Sequence, residues 1–122
     1  MKTILIIFIL TIIEGCQLSV REQIKNNSPS WISPDGNAMI YQSHYKENET
    51  YYISLGTWIT NNSMEGGAGI FDMKSKKLDT LKVRWTSDSS AIISYSSTAN
   101  ISRQLSETYF AGRKIHLQYV SN

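Results

Sequence analysis

The sequence predicts an all-β fold: a small antiparallel β-sandwich or open barrel of six to seven strands, following an N-terminal signal segment. Three observations point there. Residues 80–86 (TLKVRWT) and 114–120 (KIHLQYV) alternate apolar with polar at the strand period of two. Tight-turn chemistry recurs between the aliphatic and aromatic runs, as at Ser33-Pro34-Asp35-Gly36 and at residues 87–90 (SDSS). No long stretch sustains a helical spacing of apolar residues.

In chain order, Met1 and Lys2 form a short positive end. Residues 4–13 (ILIIFILTII) follow, with only Thr11 interrupting the apolar run. Spanning a bilayer takes about 20 such residues, so this run is too short. It fits the apolar region of a signal peptide, roughly 7–15 residues long. The chain then divides into a signal segment over 1–15, a polar flexible tether over 16–30 and a single β domain over 31–122.

Within the domain, the Ser33–Gly36 turn leads into a strand over 38–43 (AMIYQS), and residues 44–50 (HYKENET) read as a polar connection. Residues 51–60 (YYISLGTWIT) are rich in aromatic and β-branched side chains, with Gly56 marking a bulge or bend. Residues 61–69 form a glycine-bearing loop, 70–73 a short strand and 74–79 (KSKKLD) a turn. Leu81, Val83 and Trp85 mark one face of the next strand; the SDSS turn returns the chain into 91–96 (AIISYS). Ile101, Leu105 and Tyr109 lie four apart, as on a helix, but the Ser/Thr content and weak caps argue against one, leaving this stretch ambiguous. Ile115, Leu117 and Tyr119 close the domain as a strand.

Composition narrows the function classes. The 122-residue chain is 41% hydrophobic and 18% charged, which suits a globular body. A net charge of +2, without a basic run, argues against nucleic acid as partner. The single cysteine excludes an internal disulfide framework and a cysteine-rich metal site. The two histidines, His44 and His116, have no ligand-like neighbours and read as surface residues. No Gly-x-Ser-x-Gly elbow accompanies the many serines. The carboxylate pairs Glu47 with Glu49 and Asp72 with Asp79 lie in turn-like stretches, and Asp35 and Asp88 read as turn-shaping residues. Gly66-Gly67-Ala68-Gly69 lacks the Lys-Ser/Thr of a phosphate loop and reads as a bulged strand entry. No catalytic residues, metal ligands or cofactor site follow from this inventory, so the reading is of a non-enzyme.

Ile13-Glu14-Gly15-Cys16 resembles a bacterial lipobox, with an aliphatic residue three before the cysteine and a small one just before it. Glu14 departs from that pattern, which favours small uncharged residues there. The resemblance implies that Cys16 is the lipidation site, carrying diacylglycerol and acyl chains in the membrane. With Gln17 rather than aspartate following it, enterobacterial sorting would place the protein at the outer membrane, facing the periplasm, in a Gram-negative host.

Two segments look alike: residues 31–41, from Trp31 to Tyr41, and 85–95, from Trp85 to Tyr95. They resemble the W-SPDG signature of TolB-type propeller blades. Their spacing of 54 residues exceeds the roughly 40–45 of common blades, and two copies cannot close a propeller. Most of the chain also resembles a family of small uncharacterised bacterial secreted or lipid-anchored proteins. The shared pieces are Cys16, the Ser33–Gly36 turn, residues 66–71 (GGAGIF), Val83 and Trp85 with Asp88, and Ile93 with Tyr95. That family implies a compact β domain on a membrane anchor and no known activity.

The remaining functional signal is aromatic. Tyr51, Tyr52, Trp58, Tyr109 and Phe110, with Tyr45, are more than one face of a small sheet can bury, and they form the expected binding surface. The expected function is a lipid-anchored envelope protein that binds another envelope component, a protein. Its size and type suit a phage- or plasmid-borne exclusion or immunity lipoprotein. The competing readings are a small periplasmic hydrolase, with a histidine hydrogen-bonded to a carboxylate, a secreted domain without lipid, and a structural stabiliser of the envelope.

Overall fold

Alternation in the sequence becomes alternation in burial. A computed structural model describes residues 20–61, 64–78 and 81–122. In it, Ile115 and Leu117 are buried while Lys114, His116 and Gln118 are exposed. A helix α1 (Val20–Asn27) precedes ten strands: β1 (Ser30–Ile32), β2 (Ala38–Glu47), β3 (Thr50–Asn61), β4 (Met64–Gly66), β5 (Gly69–Ser75), β6 (Lys82–Ser87), β7 (Ser90–Tyr95), β8 (Asn100–Gln104), β9 (Glu107–Phe110) and β10 (Arg113–Ser121). One sheet has the order β1-β2-β3-β5-β8, with β4 also paired to β3; the other runs β6-β7-β10-β9. The fold is an all-β sandwich of six and four strands. Every pairing among the described strands is antiparallel except β7 with β10.

Tight turns set the register. Asn48 and Glu49 both adopt positive φ, 50° and 62°, and make a two-residue hairpin turn whose twist matches its strands. Ala111 and Gly112, at 54° and 74°, do the same between β9 and β10. The Asn48–Glu49 turn carries β2 on to Glu47, so residues 44–47, expected as a connection, are strand. The β3–β5 register shifts at Gly56, where the bulge was expected.

Other expectations need correction. The tether contains an eight-residue helix, α1, whose Arg21 guanidinium donates to the Gly36 carbonyl. Residues 101–109 hold no helix but the strands β8 and β9. The glycine-bearing loop contains the short strand β4, and its Ala68 carbonyl accepts from the Thr57 N–H at 2.9 Å. A Cβ on Gly67 would lie 1.6 Å from the Thr57 carbonyl oxygen, so only glycine permits this approach.

The core lies between the sheets. Ile40, Ile53, Leu55 and Phe71 from the first pack with Val83, Ile93, Ile115 and Leu117 from the second. Two seams tie the layers. On one side, the Trp85 indole N–H donates to the Trp31 carbonyl at 3.0 Å, joining β6 to β1. On the other, the Tyr119 hydroxyl donates to the Leu105 carbonyl at 2.7 Å, and burial pushes its pKa up to about 12.

The two look-alike segments are neighbours in space. The Asp35 N–H donates to Asp88 Oδ1 at 2.9 Å, and Arg113 Nη1 donates to Asp35 Oδ2 at 2.8 Å while its other amino group reaches the Asp88 carbonyl. Ser33 Oγ donates to Asp35 Oδ1 at 2.6 Å, and the Asn37 N–H donates to the same oxygen at 3.1 Å. Burial raises the Asp35 pKa, but the Ser33, Asn37 and Arg113 interactions outweigh it and hold the carboxyl below its ordinary 3.8. The charged form is therefore favoured by folding. Its contribution is complete at neutral pH, fades as pH falls through 3.8, and is gone below the folded value. Thermal midpoints measured from pH 7 to about 2.5 should fall less steeply across that window for Asp35→Asn than for the parent chain. Parallel acid limbs would remove Asp35 from this role.

Candidate binding surface

β2, β3, β5 and β8 turn successive side chains alternately to the core and to solvent. On the face turned away from the core, register builds four adjacent rows. Met39 sits opposite Trp58, with Met39 fully buried and Trp58 half-buried. Tyr41 sits opposite Gly56 and lays its ring over it; a Cβ there would meet the ring at 2.7 Å. Next come Ser43, Ser54, Asp72 and Arg103 in one polar row across the four strands. Beyond it, Tyr45 faces Tyr52, their rings stacked with centroids 4.8 Å apart, and Lys74 Nζ lies 5.6 Å from the centroid of the Tyr52 ring.

Asp72 organises the polar row. Ser54 Oγ donates to its Oδ1 at 2.6 Å, and Arg103 Nε stands 4.0 Å from its Oδ2. Arg103 Nη1 also donates to the Gly69 carbonyl at 3.3 Å, which anchors the guanidinium along the sheet. An ion pair this open to water is worth at most about 1 kcal/mol of stability, so its polar groups remain cheap to re-pair with a ligand. Tyr45 is 58% exposed, and its cross-strand stack with Tyr52 leaves one ring face open.

The five expected surface residues do not make a single patch. Tyr52 and Trp58 share the face just described. Tyr51 points to the opposite side, against the core, with Lys46 Nζ 5.4 Å from its ring. Tyr109 is 67% exposed on β9, across from Lys114 in the other sheet. Phe110 packs against the core and over Gly66. Tyr41, Ser43, Ser54, Asp72 and Arg103 were not among the expected residues; the hairpin turn at Asn48–Glu49 places Tyr41 and Ser43 opposite β3, and neither Asn-Gly nor Asp-Gly marks that turn in the sequence. Cys16 lies outside the described residues.

Chemically, the face offers aromatic contact and a strip of hydrogen-bonding groups. His44 and His116 are exposed, and neither imidazole has a hydrogen-bond or ion-pair partner among the described residues. No group of three or more potential metal ligands occurs among the described residues. Glu47 and Glu49 are exposed at the hairpin end, and Asp79 lies outside the described residues. Comparison with protein-family models, with curated proteins and with solved structures returns no match.

Proposed function

We propose that the chain is a lipid-anchored bacterial envelope protein whose β domain binds another envelope protein through the solvent face of β2, β3, β5 and β8. The Tyr45–Tyr52 stack beside the Ser43, Ser54, Asp72 and Arg103 row carries this reading. Exposed tyrosines with little side-chain entropy to lose, set among polar groups, are the usual makings of a protein-binding hot spot. The hydrolase alternative needs a histidine hydrogen-bonded to a carboxylate, and among the described residues neither histidine makes that bond, although Glu107 lies across from His116. The anchor rests on the apolar run and the lipobox at Cys16. Arg21, at the start of α1, is bonded to the Gly36 turn, so the chain enters the domain at the end that holds Asp35, Asp88 and Arg113. At about 3.5 Å per residue, the four-residue interval from Cys16 to Val20 reaches roughly 15 Å at most, which keeps that end beside the membrane.

A photo-reactive residue at position 45 tests the binding face in intact envelopes. It should yield one discrete protein adduct, which a Tyr52→Ala background weakens about thirtyfold, the scale of a 2 kcal/mol hot spot. Tyr109→Ala, on the other sheet, should leave the adduct unchanged. Adducts that survive Tyr52→Ala but vanish in Tyr109→Ala would move the binding face to the second sheet.

A further inference from the structure

We infer that the end of the sandwich opposite α1 carries a binding site for phosphate-bearing anions. β5 ends at Ser75 and is followed by Lys76 and Lys77, and the turn after β7 places Ser96 and Thr98 across from them. Between the two connections lies a groove of about 460 Å³. It continues into a second hollow of about 270 Å³ that reaches Thr50, Lys74 and Asn100.

The lining has one chemical character. Three ammonium groups, four hydroxyls and one amide border the groove, and among the described residues no acidic side chain does. Lys76 and Lys77 have no ion-pair partner among the described residues, whereas Arg103, Arg113 and Lys114 each have one elsewhere. Like charges lining one groove repel one another, and an anion between them relieves that cost. The hydroxyls are already oriented. Ser75 Oγ accepts from the Lys77 N–H at 3.2 Å, which leaves its own proton free to donate outward. Ser96 Oγ and Thr98 Oγ1 share one proton at 2.9 Å, which leaves the other free. Rotatable ammonium donors beside outward hydroxyls suit a tetrahedral oxyanion better than a planar carboxylate, which favours the fork of arginine. The volume leaves room for whatever the phosphoryl group is attached to.

The site stands whether or not the aromatic face binds a protein, since Lys76, Lys77, Ser96 and Thr98 belong to neither row of tyrosines. Its phosphoryl group has two sources, a soluble phosphorylated compound or a phospholipid headgroup. The full chain, purified in neutral detergent, is titrated with inorganic pyrophosphate and separately with mixed micelles containing phosphatidylglycerol. Lys76→Ala/Lys77→Ala should weaken binding at least about tenfold, while Lys82→Ala/Arg84→Ala, on the outer face of the second sheet, should leave it unchanged. Both double variants should keep the parent thermal midpoint, because the four side chains are exposed. Pyrophosphate binding that the Lys76/Lys77 variant loses assigns a soluble ligand; micelle binding alone, lost in the same variant, assigns a headgroup. Binding to neither probe, or binding equal in both double variants, overturns the site.

Discussion

Phe71→Ala is expected to destabilise the domain by about 3–5 kcal/mol, the largest loss for a single side chain here. Phe71 is fully buried on β5, between β3 and β8 of the first sheet. Its ring meets Tyr95 of β7 at 5.6 Å between centroids and Tyr119 of β10 at 5.5 Å. It is thus the aromatic bridge between the layers, at the level where β7 and β10 run parallel. Removing it leaves a cavity between two hydrogen-bonded sheets that cannot collapse far, so the cavity cost adds to the lost transfer energy. Small domains have only about 5–15 kcal/mol in total, so the variant should unfold at a much lower urea concentration, if it folds at all. A loss under about 1 kcal/mol would mean that the layers close without this contact.

What the sequence made legible follows from its periods. The strands over 80–86 and 114–120 were readable because each buries one face and wets the other, which is the condition for clean alternation. Residues 44–47 were not, because both faces of β2 are exposed near its end and its pairing is supplied by β3. The spacing of Ile101, Leu105 and Tyr109 left helix and strand both open for a simple reason. A separation of four is close to one helical turn, yet it is also two full strand periods. The backbone decided it: the Leu105 N–H donates to the Ile70 carbonyl at 2.9 Å, at the corner where β8 gives way to β9. The parallel pairing of β7 and β10 has no local signal, since it joins strands separated by two others in the chain.

The binding face was half legible. Aromatic excess named Tyr45, Tyr52 and Trp58 but could not sort them from Tyr51 and Phe110, because facing depends on register. Register here comes from the two positive-φ residues Asn48 and Glu49, and neither Asn-Gly nor Asp-Gly advertises that turn. The likeness of the two tryptophan segments had a physical meaning that spacing alone did not reveal: their turns dock on each other through Asp35, Asp88 and Arg113.

The second large effect concerns location. Cys16→Ser is expected to move the protein from the membrane to the soluble fraction of the envelope, with the fold intact. Each buried methylene contributes about 0.8 kcal/mol, so one acyl chain holds only marginally and two or three hold stably. Losing all of them at one residue is therefore close to an all-or-none change, whereas Tyr52→Ala should alter the cross-linked partner and leave the membrane fraction alone. The two variants separate the anchor from the binding face.

The most direct test of the anchored-module account is metabolic labelling with a radioactive fatty acid in a bacterium expressing the parent chain or Cys16→Ser. The account predicts label on the parent protein, released with its acyl chains, and none on Cys16→Ser. Label that persists on Cys16→Ser, or an unlabelled parent protein, would contradict it.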